Sequence, residues 1–204
     1  MKYHNAFLTV AALAAATLLA GCTDNDKPTN NAPGAPKATS PSPSPPAKPP
    51  TYTMPDNVCT AVNTDAFADL VPAAPPKTSE KSRTQTGRTT SSTCLVTLGT
   101  LDRALLVSVG VDLFLDSFGA QGQYEGFRGL AFKDHRDARD VTGVGTAAYF
   151  FTDPDTGPHL VTRSGNAHIS VFVAPIDSAN SLPSDVETRL ITATKTTLAK
   201  LPTT

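Results

Sequence analysis

Three of the four histidines in this 204-residue chain, His135, His159 and His168, lie in its C-terminal half. An imidazole is the side chain best suited to move protons near neutral pH. Nucleophilic catalysis needs a Ser, Thr or Cys beside such a base, with oxyanion donors nearby. No Gly-x-Ser-x-Gly elbow and no Ser-x-x-Lys arrangement occurs, and none of the three histidines stands in a recognisable catalytic frame. His168 belongs to an alternating run in which Ile169, Val171 and Val173 share one face and His168, Ser170 and Phe172 the other. It therefore reads as a surface or hydrogen-bonded interior group. Asp153-Pro154-Asp155-Thr156-Gly157 places carboxylates at i and i+2, the start of a cation site. Calcium takes about six to eight oxygens, however, and a helix-loop-helix calcium loop has Gly at position 6 and an acid at position 12. Counted from Asp153, position 5 is Gly157 and position 12 is Ser164, so a tight turn is expected. Gly143-Val144-Gly145 precedes a strand and lacks the third glycine of a dinucleotide site. Neither metal nor cofactor is predicted. The run Lys133-Asp134-His135-Arg136-Asp137-Ala138-Arg139-Asp140 nearly cancels its own charge and reads as a solvated loop. Its functional reading is a polar recognition patch in which Arg136 and Arg139 present planar donors to carboxylate or phosphate groups.

The cysteines carry a different chemistry. Leu19-Ala20-Gly21-Cys22 looks like a bacterial lipobox: a branched apolar residue, two small ones, then the thiol that accepts a thioether-linked diacylglycerol. Lys2 and the uncharged stretch 6–20 ahead of it complete a lipoprotein signal peptide, residues 1–21, with cleavage after Gly21. Those fifteen uncharged residues make only about 22 Å of helix, short of a bilayer core of about 30 Å. Two acyl chains suffice for stable anchoring, so the mature chain is expected on the extracytoplasmic membrane face. Cys59 and Cys94 then remain as an even pair in an oxidising compartment and are expected to form a structural disulfide. With no CxxC and no nearby His, they make a poor zinc set.

These groups are held by elements of uneven clarity. Ten of the eighteen prolines fall within residues 28–55, and residues 22–57 read as a Pro/Ser/Thr-rich disordered stalk. Residues 58–204 form one α+β domain. A short helix follows Cys59 around Phe67, Leu70 and Val71, and residues 72–92 read as a polar loop. Strands are predicted over 93–98, 104–111, 147–151, 160–163 and 167–173, with turn chemistry between them. A helix over 114–130 is possible by spacing, but four glycines weaken it. Ser184-Asp185-Val186-Glu187 reads as a capping box opening a terminal amphipathic helix striped by Val186, Leu190, Ile191, Leu198 and Leu201. The expected architecture is an antiparallel sheet packed on one face by the N-terminal short helix and the C-terminal amphipathic helix, with one disulfide.

The order of landmarks resembles a family of actinobacterial cell-envelope lipoproteins, the 3558 domain-of-unknown-function family. Cys22, the stalk, Asp56-Asn57-Val58-Cys59, Ser92-Thr93-Cys94-Leu95, Val144-Gly145-Thr146-Ala147-Ala148-Tyr149 and the terminal helix carry the likeness. Thr146 departs from it, since the family more often has an acidic residue there, and so does the lack of an aromatic shortly after Cys94. The resemblance implies a secreted α+β domain with one disulfide, similar to sensor or binding domains, and carries no catalytic residues with it.

A formal charge of −1, from 17 basic and 18 acidic side chains, excludes recruitment by a basic field to nucleic acid or acidic lipid. The absence of Trp argues against a sugar-stacking platform. The expected function is a non-catalytic, lipid-anchored envelope protein that binds an envelope ligand or a partner protein in a groove between sheet and helices. The competing readings are an envelope hydrolase acting on ester or wall substrates, and a protein-binding scaffold or inhibitor.

Overall fold

Alternation of apolar and polar residues obliges residues 103–114 and 167–175 to lie in a sheet with one face buried. The computed structural model describes residues 48–100, 102–176 and 181–204. The expected signal peptide with its cleavage position Gly21, the expected lipidation position Cys22 and residues 22–47 of the expected stalk lie outside the described residues. Seven strands form one antiparallel sheet: β1 (Lys77–Thr86), β2 (Thr89–Thr100), β3 (Arg103–Phe114), β4 (Arg139–Val141), β5 (Ala147–Asp153), β6 (Gly157–Ser164) and β7 (Ala167–Pro175). Their spatial order is β1-β2-β3-β7-β6-β5-β4. The chain therefore lays down one three-stranded meander and crosses the sheet through α1 (Ser117–Asp134) to the far edge. It then meanders back until β7 joins β3, and α2 (Val186–Lys200) closes the fold.

Val107, Val109 and Val111 of β3, Ile169, Val171 and Val173 of β7, and Leu160 of β6 share one face with essentially no solvent contact. The 3-10 turns Val58–Thr60 and Asp65–Leu70 and the stripe Leu190, Ala193, Leu198 and Leu201 cover that face. Arg189 joins α2 to the second 3-10 turn within this layer, pairing with Asp69 at 2.5 Å and Asp185 at 3.1 Å and donating to the Ala66 carbonyl at 2.6 Å. The predicted α+β architecture thus holds, with Cys59 and Cys94 disulfide-bonded.

Four features depart from the sequence reading. Residues 77–86, expected within a polar loop, are an edge strand paired with β2 through the two-residue turn Gly87-Arg88. Glu80 is its inward group, accepting from the Val58 amide at 3.1 Å and the Ser92 hydroxyl at 2.9 Å. Helices are not confined to one face, because α1 packs Tyr124 and Ala131 against Tyr149 and Val161 on the opposite side. Gly122, Gly126 and Gly129 forgo no packing, since a Cβ there would meet nothing within 4 Å, whereas a Cβ at Gly119 would come within 2.7 Å of the Phe114 ring. The capping box does not form: Asp185 is the N-cap of α2, and Glu187 turns instead to Arg139.

The fourth departure is the domain boundary. Tyr52, expected in the stalk, is buried and bridges to Thr203. Asn166 holds it there, accepting from the Tyr52 amide at 2.7 Å and donating to the carbonyls of Tyr52 at 3.1 Å and Phe114 at 2.9 Å. Asn166→Ala would leave these buried backbone groups unpaired, so it is expected to lower stability by about 1–3 kcal/mol. Urea unfolding checks this, and a loss under about 0.5 kcal/mol would show that water replaces the amide.

Candidate functional site

Strand register decides which side chains meet beneath α1. β3 and β7 set Asp112 opposite His168, while β6 sets His159 opposite both Phe172 of β7 and Phe151 of β5. The two-residue period puts these on the same face as Tyr149, Val161 and Ser170. Phe127, Leu130, Ala131 and Asp134 of α1, with His135 just beyond it, stand over this floor. Between floor and wall lies a groove of about 450 Å³. The three histidines, which sequence patterning treats one at a time, thus line one space.

His168 is buried, with Nδ1 at 3.1 Å from Asp112 Oδ2. Gln123 Nε2 donates to the same oxygen at 2.6 Å and lies 3.3 Å from His168 Nδ1. Burial pushes the Asp112 carboxyl up, but hydrogen bonds from His168, Ser91 and Gln123 outweigh it and hold the group below its usual value. Donation by Nδ1–H to this carboxylate makes Nε2 of a neutral ring an acceptor, and Nε2 is buried without a partner.

His159 has a different environment. Its ring stacks 4.7 Å from Phe151 and 5.0 Å from Phe172. Burial pushes its pKa down to about 4, although Asp153 acts in the opposite sense. Thr156 Oγ1 donates to Asp153 Oδ1 at 2.9 Å and lies 2.6 Å from His159 Nε2. Since the hydroxyl has one proton, the fitting tautomer carries its proton on Nε2 and donates to Thr156. His135 lies 4.7 Å from Phe151. At the floor, Tyr149 meets Tyr124 edge-to-face at 5.3 Å, and burial raises both phenols, that of Tyr124 to about 12.

Asp153 Oδ1 accepts from the Asp155 amide at 2.9 Å and the Thr156 amide at 2.8 Å, besides the Thr156 hydroxyl. The Asp153-to-Gly157 segment is thus the expected hairpin turn, and among the described residues no cluster of three His, Cys, Asp or Glu is placed to hold a metal. The Gly143–Gly145 segment also has a local role. Gly145 has φ +55°, and a side chain there would come within 2.5 Å of the Arg163 carbonyl.

No family model, curated protein or solved structure matches the chain. The chemistry of the groove therefore carries the functional argument.

The two arginines of the suggested recognition patch have different surroundings. Arg139 pairs with Glu187, lies 4.4 Å over the Phe150 ring and donates to the Asp137 carbonyl at 3.1 Å, so its guanidinium braces α2 against the sheet edge. Arg136 is exposed on the turn after α1. No serine hydroxyl hydrogen-bonds a histidine among the described residues, and the hydroxyl beside His159 belongs to Thr156. Asp112, Gln123, Phe127 and Phe151 are groove residues that the sequence reading missed. One signal was present: Ala147-Ala148-Tyr149-Phe150-Phe151 is apolar without alternation, as a strand covered on both faces must be.

Proposed function

We propose that the chain is a lipid-anchored cell-envelope protein whose domain binds a small ligand, without catalysis, in the groove beneath α1. The lipobox ending in Cys22, the stalk and the Cys59–Cys94 pair support the address, and the resemblance to actinobacterial envelope lipoproteins of unknown function belongs to the same proposal. The observation that carries the binding reading is the groove itself. Ligand sites typically enclose about 300–1,000 Å³ with apolar walls and a few convergent polar groups. This groove has about 450 Å³, the half-exposed Phe127 and Leu130 at its wall and the Asp112–His168 pair at its floor. Among the described residues Leu115, Phe118 and Ile176 are more exposed than either and Phe132 less so, but none of the four lines this groove.

The test is thermal unfolding of the oxidised compact unit Pro46–Thr204, with and without fractions of a host envelope extract. A ligand at a hundredfold excess over Kd stabilises the native state by about 2.7 kcal/mol, which for a domain of this size is roughly 5–10 °C. A shift that follows one small-molecule fraction and shrinks in Phe127→Ala/Leu130→Ala supports the reading. Absence of a shift with every fraction sinks it in favour of a partner protein, sought next by cross-linking on intact cells.

A further inference from the structure

The geometry points to a protonated amine on an apolar body as the ligand class of the groove beneath α1. This inference rests on the ligand-binding reading of that groove. Three carboxylates line it, those of Asp112, Asp134 and Asp153, and neither lysine nor arginine does. The arginines on the same face of the sheet are directed elsewhere. Arg128 pairs with Asp140 at 2.6 Å and lies 4.1 Å over Phe132, and Arg163 lies 5.7 Å from the centre of the Tyr124 ring.

Carboxylates set among low-dielectric walls focus a negative potential into the space between them. An anion entering this groove meets that potential uncompensated, whereas an ammonium is drawn to it. Aromatic side chains act in the same sense, because a ring face attracts a cation lying within about 6 Å. Phe127, half-exposed at the wall, is the ring open to such a cation, since Phe151 lies against the rings of His135 and His159 and Tyr149 is buried. Leu130, also half-exposed, gives the uncharged part of the ligand an apolar surface. His168 fits the same polarity. With Nδ1–H directed at Asp112, its unpartnered Nε2 is an acceptor, suited to an N–H donor and not to a second acceptor.

The probes are three compounds of one shape: 2-(2-naphthyl)ethylamine, 2-(2-naphthyl)ethanol and 2-naphthylacetate. Each is titrated calorimetrically into the full chain carrying Cys22→Ser, so that no acyl group competes. The amine is expected to bind more tightly than the alcohol, and the alcohol more tightly than the carboxylate. Asp134→Asn/Asp153→Asn, which keeps the Oδ1 acceptor of the hairpin turn, is expected to weaken the amine about threefold or more and leave the alcohol unchanged. Phe127→Ala/Leu130→Ala is expected to weaken all three. If the carboxylate binds as tightly as the amine and is lost in Phe127→Ala/Leu130→Ala, the charge inference is overturned while the groove remains a ligand site. If no probe binds at millimolar concentration, the inference is overturned, and the extract experiment then decides the ligand-binding reading alone.

Discussion

Reduction of the Cys59–Cys94 bond is expected to cost the domain about 3.8 kcal/mol, the chain-entropy value for releasing a loop of about 36 residues. For a domain of this size that is roughly 8–15 °C in Tm. The crosslink ties the first 3-10 turn to β2, whose Cys94 is fully buried, and it encloses all of β1. In the entropic account the effect falls on the unfolded chain, which the crosslink no longer constrains. Urea unfolding with and without a reductant measures it. A loss below about 1 kcal/mol would mean that the 59–94 segment stays structured in the unfolded chain, and the entropic account would then fail.

Acidification from pH 6.5 to 4 is expected to destabilise the domain through His159. Its folded pKa is about 4, against 6.5 for an unhindered ring. Between these values the unfolded chain binds a proton that the folded one refuses, so stability falls as pH falls. The contribution is complete above pH 6.5 and lost by pH 4. Its ceiling is about 3 kcal/mol, reduced by the solvent that still reaches part of the ring. Asp112, Asp153 and Asp137 have folded pKa values below their usual ones, so their contributions are lost only at still lower pH. His159→Gln loses the stacking on Phe151 and Phe172 and is less stable at pH 7, but its stability is expected to vary less from pH 6.5 to 4. Equal slopes in the two proteins would assign the acid sensitivity to other groups.

The contrast between β7 and β1 shows what the sequence could disclose. Ile169, Val171 and Val173 alternate with His168, Ser170 and Phe172, so one glance assigns both faces. β1 reads Lys-Thr-Ser-Glu-Lys-Ser-Arg-Thr-Gln-Thr, an edge strand whose inward Glu80 meets the first 3-10 turn through a hydrogen bond instead of an apolar contact, so no alternation shows. Its strand character comes from pairing with β2, which composition does not express. α1 was obscured for a related reason: its buried contacts are few and three of its four glycines, Gly122, Gly126 and Gly129, face open space. The capping box failed by one residue, since Asp185 competes with Ser184 and is tied to Arg189 four residues on. The groove was the least legible feature of all. Asp112 and His168 stand 56 positions apart, and only the β3–β7 register makes them neighbours. No local pattern encodes that pairing.

The clasp at Tyr52 also has a mechanical meaning. Tension applied N-terminal to Thr51 is met first by the Tyr52–Thr203 bridge and the two hydrogen bonds between Asn166 and Tyr52, which can let go one at a time. Once they open, the chain pays out only as far as Cys59. About eight residues reach at most some 28 Å when extended at roughly 3.5 Å each, and the slack is that length less the distance they already span. Beyond that point the load passes through a covalent bond into the middle of β2, bypassing β1 and its hairpin. The domain thus has a soft first yield and a hard stop, so a sharp pull on its leading end lengthens the connection before it can unravel the sheet.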